Sequence, residues 1–261
     1  MTQNDSEQPE ELPFISHLIE LRSRLLKVVL SVLIVFIPLA TYANLLYSYL
    51  AGPLLRHLPS NSSMIAIDVA SPFFTPFKLA IVVAVFISMP VILYQFWAFV
   101  APGLYRNERR MILPLLVAST LLFYLGVAFA YFVVFPLIFG FLTAAAPVGV
   151  AMMTDIAKYL DFVLTLFFAF GLAFEVPIVT IVLVWTGLTS PADLSEKRPY
   201  VIVAAFIIGM FLTPPDAISQ TLLAVPMWLL FELGLLFSRL FVRKAETDPN
   251  NLIEQEHERG N

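Results

Sequence analysis

Ionisable residues are scarce in this chain: of 261 residues, 59% are hydrophobic and only 13% are charged. The few carboxylates that interrupt or border apolar runs are therefore the first places to look for chemistry. Glu175 lies within "FGLAFEVPIV" (170–179). A charge at the centre of a membrane span costs about 3 kcal/mol on insertion scales, and Pro177 removes the backbone hydrogen bond to the carbonyl of Ala173. Two readings stay open: a protonated, hydrogen-bonded acid at a proline kink, or a polar site facing a wet cavity or a partner helix. Glu20, in "HLIELRSRL" (17–25), stands four residues before Arg24, the spacing of an ordinary helical ion pair. Glu108, in "YRNERR" (105–110), follows Asn107, which suits a helix N-cap with the acid in the first turn. Considered together, Glu20 and Glu108 are carboxylates in arginine-rich segments beside long apolar runs. Each is a natural receiver for a guanidinium, through charge-assisted and often bidentate bonds. Such a site prefers arginine to lysine, whose ammonium is a point charge rather than a planar fork.

Other chemistries find little support. His17, His57 and His257 share no motif spacing with a carboxylate, and there is no HExxH, P-loop or Gly-x-Ser-x-Gly. The absence of cysteine excludes disulfides, zinc–thiolate sites and iron–sulfur clusters. The expectation is a protein that is not an enzyme and needs no cofactor or metal.

The elements that position these acids are membrane spans. Mean hydropathy is +0.86, and several uncharged runs exceed the roughly 20 residues that cross a bilayer. Six spans are expected, at about Leu25–Tyr47, Phe77–Val100, Met111–Phe135, Phe162–Trp185, Tyr200–Leu212 and Ala217–Phe237. One face of the membrane then carries Arg22, Arg24, Lys27, Arg106, Arg109, Arg110, Lys197, Arg198, Arg239, Arg243, Lys244 and Arg259. The other carries Arg56, Lys158 and Lys78. That bias places both termini in the cytoplasm. The first 20 residues hold five acids and no Lys or Arg, unlike a secretory signal, so the first apolar segment is expected to be retained.

Proline-rich residues 48–76 are expected to form short helices and turns on the outer surface, and Pro13–Lys27 an amphipathic helix on the inner one. The fifth and sixth helices are expected to be short, since Tyr200–Leu212 spans roughly 20 Å and Glu232 soon interrupts the last apolar run. The third segment is expected to run on toward Leu142, broken at Pro136. A single six-helix domain should occupy residues 1–241, with a polar cytoplasmic tail over 242–261.

The order of "HLIELRSRL" (17–25), "DVASPFFTPFKL" (68–79), "FWAFVAPGLYRNERR" (96–110), "AFAYFVVFPLIFGF" (128–141), "FAFGLAFEVPI" (168–178), "KRPYVIV" (197–203) and "FLTPPDAISQ" (211–220) resembles the TatC family, most closely its gammaproteobacterial members. That family is the largest integral membrane component of the twin-arginine protein translocase. The resemblance implies an all-α, cup-like bundle of six transmembrane helices in the bacterial inner membrane. It implies a receptor for signal peptides bearing consecutive arginines on folded cargo, exported with the proton-motive force. Glu20 and Glu108 would contact those arginines, with Arg22, Phe99, Pro102 and Leu104 in the same site. Glu175 would lie in the membrane-embedded concave face. Met210, Thr213 and Gln220 would meet the single-span partners TatB and TatA. Pro53 and Asp216 would serve assembly or transport. Further implied partners are other copies of the chain and the bilayer, and no nucleic acid. From the residues alone, a rival reading is a small-solute transporter with Glu175 as its proton-coupling acid.

Overall fold

A computed structural model describes residues 12–57, 64–100, 112–144, 153–212 and 217–246, nearly all of them helical. Eleven α-helices are present among these residues: α1 (Leu12–Thr41), α2 (Ala43–His57), α3 (Ser71–Ile87), α4 (Met89–Val100), α5 (Ile112–Phe129), α6 (Phe135–Ala144), α7 (Ile156–Ala173), α8 (Val176–Trp185), α9 (Pro191–Glu196), α10 (Arg198–Leu212) and α11 (Ala217–Glu246). Two short strands, β1 (Met64–Ile65) and β2 (Thr154–Asp155), pair in parallel.

Four stretches are long and apolar enough to cross a membrane: His17–Thr41, Leu113–Phe141, Ile156–Trp185 and Leu223–Leu240. The pair α3–α4 makes a fifth if it is one span, and α10 is a shorter apolar helix. The six expected segments fall on helices, several of them divided between two, and the details differ from expectation in physically instructive ways.

Prolines set most of the differences. The expected second span is two helices that meet at 53°, because Pro90 has no N–H to give the carbonyl of Phe86. The fourth span is interrupted in the same way at Phe174–Glu175, two residues before Pro177. The third segment is not broken at Pro136. A π-turn over Ala130–Val134 lets the Phe135 N–H reach the carbonyl of Ala130, so the helix absorbs the missing donor and runs on to Ala144. The first span ends at Thr41 rather than Tyr47, where the Tyr42 N–H turns back to Leu39. The amphipathic stretch expected on the inner surface is continuous with that span, as the N-terminal part of α1.

One expectation needs correcting outright. The fifth helix is short, 15 residues, but the sixth is not: α11 runs 30 residues, far past Glu232. Glutamate is a good helix former and does not end the helix; its charge is paired by Arg198 of α10, with Nε 2.7 Å from Oε1 and Nη2 2.9 Å from Oε2.

Packing is dominated by aromatic side chains and by glycines that let backbones approach. Phe135 of α6 and Phe170 of α7 are buried in one cluster, and Phe123 of α5 is buried in another with Leu93 and Trp97 of α4 and Ile178 of α8. Gly234 of α11 lies against Pro177 and Thr180 of α8. By contrast, no residue in the apolar window of α1 is buried, and Leu30, Ile34 and Ile37 are exposed. Water does not tolerate such a surface on a monomer; lipid does.

β1 and β2 close one end of the bundle. Asp155 caps α7 by accepting from the N–H groups of Ala157 and Lys158, at 3.0 and 2.9 Å, and its other oxygen accepts from Ile67 at 3.1 Å. Tyr159 adds a hydrogen bond to the carbonyl of Leu50 at 2.9 Å.

Candidate functional site

The expected acids sit at two places, one near the N-terminal end of α1 and one inside the bundle. At the first, α1 crosses the C-terminal part of α4. His17 of α1 stacks on Phe99 of α4, with ring centroids 4.3 Å apart. One turn along α1, Glu20 carries the pair that its spacing predicted: Arg24 donates from Nε (2.9 Å) and Nη2 (2.5 Å) to the same oxygen, Oε1. The remaining arm of that guanidinium, Nη1, reaches Oε1 of Gln95 on α4 at 3.3 Å. Glu20 and Phe99, far apart in sequence, thus belong to one surface. Arg22 lies on α1 with an exposed side chain. Pro102, Leu104 and Glu108 fall outside the described residues.

Sequence reasoning missed two members of this cluster. Gln95 carries no charge and no periodic signal. His17 looked unremarkable because its partner stands 82 positions away; only the helical phase, which puts His17 and Glu20 one turn apart, linked it to the acid.

The second place is the break between α7 and α8. Glu175 is only 9% exposed, and its Oε1 is buried with no hydrogen-bond partner. The hydroxyl of Ser119, itself fully buried on α5, lies beside the carboxyl. Trp97 of α4 donates from Nε1 to Ser119 Oγ at 3.0 Å. Because an indole N–H only donates, Ser119 accepts there and has its own proton left for the carboxyl. The acid therefore lies beside one hydroxyl of α5 that is itself tied to α4, and its Oε1 has no hydrogen-bond partner. A buried acid at a helix break, with unspent hydrogen-bonding capacity, can accept or donate one bond to a group entering the bundle.

The expected partner-helix positions are partly visible. Met210 is half exposed on α10. Gln220 of α11 passes over Gly209 and donates from Nε2 to the carbonyl of Phe206 at 2.8 Å, so its amide N–H ties α11 to α10. Pro53 lies in α2. Thr213 and Asp216 lie outside the described residues.

Backbone N–H groups of Lys158 and Ile67 hold the partly exposed Asp155 carboxyl below its usual range.

Comparison with known proteins adds the lineage. The family model described as "Sec-independent protein translocase protein (TatC)" matches residues 16–226. The chain is 60% identical over 233 residues to the Sec-independent protein translocase protein TatC of Escherichia coli strain K12, covering 89% of this chain and 90% of that one. It is 59% identical to the protein of that name from Haemophilus influenzae, over 91% of this chain and 93% of the relative. A crystal structure of the twin-arginine translocase receptor TatC superposes with a TM-score of 0.77 at 40% identity, covering 86% of this chain and 98% of that chain.

Proposed function

The chain belongs to the TatC family of Sec-independent protein translocases, and on that premise we propose that it binds twin-arginine signal peptides at the surface formed by α1 and α4. Its role is that of the receptor subunit of a twin-arginine translocase in a bacterial inner membrane. Glu20 supplies the carboxylate, Phe99 the apolar flank, and Arg22, Pro102, Leu104 and Glu108 complete the site. The proton-motive force drives export of the folded cargo, for the chain shows no nucleotide-binding motif.

In this reading the chain has six spans in a cup-like bundle. The bent pair α3–α4 is the second span and α10 the short fifth. Both termini are cytoplasmic, and a polar segment from residue 242 follows the domain of residues 1–241. TatB and TatA, each with one span, meet α10 and α11 around Met210, Thr213 and Gln220, while Pro53 and Asp216 serve assembly. Glu175 faces the concave side, where its uncommitted oxygen meets a group arriving within the membrane.

The observation that carries the proposal is the convergence of Glu20 with Phe99. Residues from two distant segments, each carried over separately by the family resemblance, sit on one surface across the α1–α4 contact. An arginine side chain fits such a place, its planar guanidinium bonding the carboxylate while lying against an aromatic ring.

The test is binding of a labelled twin-arginine peptide and its twin-lysine counterpart to the purified chain in detergent. Preference for arginine, reduced at least tenfold by Glu20→Ala and by Glu108→Ala with membrane insertion intact, supports the reading; a charge-assisted bond is worth roughly 1.5 kcal/mol or more. Equal binding of the two peptides, unaffected by both substitutions, sinks it.

A further inference from the structure

Glu20 is not an empty receptor for a guanidinium, since it already holds one. We propose that Arg24 is a resident competitor for the ligand's arginine, and that it sets the threshold a cationic peptide must exceed to bind at Glu20. The inference rests on the receptor reading of Glu20 and concerns how tightly a cationic ligand must bind to occupy that site.

Three features of the contact support competition. First, the chemistry is identical: the group that occupies Glu20 within the chain is the group the ligand would present. Second, the clamp is specific to a guanidinium. Nε and Nη2 converge on Oε1 while Nη1 reaches Gln95 on α4, a three-point arrangement that an ammonium does not reproduce. Third, the geometry leaves an entry. Among the described residues nothing donates to Oε2 of Glu20, and the Glu20 side chain is 36% exposed against 21% for Arg24. A ligand first meets the free oxygen, and to bond both oxygens it must loosen the resident arm from Oε1.

The helix makes this competitor effective. Residues four apart on α1 face each other without any chain closure, so Arg24 is always at hand. A ligand bearing one lysine offers a point charge against that fork and displaces it poorly. A peptide with two adjacent guanidiniums can hold one oxygen while contesting the other. The displaced Arg24 keeps a place to go, because its bond to Gln95 does not involve Glu20.

Removing the competitor should therefore raise affinity for arginine and lysine peptides by a common factor, which brings the weaker peptide into measurable range. A positioning role for Arg24 predicts the reverse, because Glu20 would lose its orientation and bind less well. The His17–Phe99 stack joins α1 to α4 independently of Arg24, so a substitution at Arg24 leaves the helix contact a second anchor.

The deciding experiment measures both labelled peptides against the purified full chain and its Arg24→Lys, Arg24→Gln and Glu20→Gln variants in one detergent at one salt concentration. Arg24→Lys is the key variant, since it keeps the charge and loses the fork. The expected result is that Arg24→Lys and Arg24→Gln each bind both peptides about three- to fivefold tighter, the range of an ion pair near the surface. Unchanged or weaker binding by Arg24→Lys overturns the competition. Tightening by Arg24→Gln alone overturns it too, because charge rather than the fork would then be responsible. Glu20→Gln separates the two layers of the argument: if it leaves arginine-peptide binding intact, the receptor site itself is misplaced. If it weakens binding while Arg24→Lys does nothing, only the competitor role fails.

Discussion

Replacing Gly126 by alanine tests whether close backbone approach, rather than apolar burial, holds α5 against α7. A Cβ at Gly126 would lie 2.5 Å from the carbonyl oxygen of Phe170, 3.0 Å from its carbon and 3.0 Å from Cβ of Phe174. Carbon atoms pack best at about 3.5–4.0 Å, and two of the three obstacles are backbone, so no side chain can swing aside. The helices must separate by roughly 0.5–1 Å, a gap that forfeits a quarter to a half of each atomic contact along the seam. Over a few tens of atom pairs the loss is about 2 kcal/mol. Alanine's better helix propensity returns somewhat under 1 kcal/mol. The net destabilisation is about 1–2 kcal/mol. In a bilayer this loss is felt directly, because packing drives helix association there and water does not. The assay is the temperature at which the detergent-purified chain loses its monodisperse peak, expected to fall by roughly 3–6 °C. Gly140→Ala is the control: nothing lies within 4 Å of its added Cβ, so it should be neutral or stabilising. Equal behaviour of the two variants would refute the reasoning, since propensity or general tolerance would then outweigh contact.

Gly234→Ala should show the same penalty at the α8–α11 contact, where the new Cβ would meet Cα of Pro177 at 2.7 Å; wild-type thermal stability would contradict it. Trp97→Phe keeps a buried ring but removes the donor to Ser119, costing about 1 kcal/mol, with no additive loss expected when Ser119→Ala is already present. Glu232→Gln weakens the link from α11 to α10 by about 1 kcal/mol at most, as both partners are partly exposed, and a double-mutant cycle with Arg198→Gln measures it. The pH dependence at the closed end has a definite sign. The Asp155 carboxyl titrates lower in the folded chain than when unfolded, so its stabilisation is present above the ordinary carboxylate pKa and is lost as pH falls through the depressed folded value. Protection of the Ile67 and Lys158 amides, relative to their intrinsic exchange, should fall there in the wild type, and Asp155→Asn should already show lower protection at neutral pH without that acid dependence.

The particular departures from the sequence reading share one cause. Hydropathy located each apolar segment, because twenty uncharged residues have few places to go other than lipid or a core. It did not anticipate what two similar prolines would do. Pro90 bends a helix pair by 53°, yet Pro136 is absorbed by a π-turn, and that choice depends on the neighbours that can satisfy the freed carbonyl. Glu232 was read as the end of an apolar run, but a charge does not end a helix, and this one is paired with an arginine on another helix.

The candidate site divides along the same line. The i,i+4 pairing of Glu20 with Arg24 was legible, because helical phase is local. So was the cost of placing Glu175 among apolar residues. The roles of Gln95, His17, Ser119 and Trp97 were not, since each depends on a partner from another helix. By itself, the sequence determined that this chain lives in a membrane, where its helices fall, and which acids are anomalous, all properties of neighbouring residues and solvent. Only the tertiary structure decided that Glu20 already carries a guanidinium bridged to α4 and that Glu175 is buried with its Oε1 unpartnered. Those contacts are set by helix crossings, and a crossing brings together side chains whose sequence separation carries no record of their meeting.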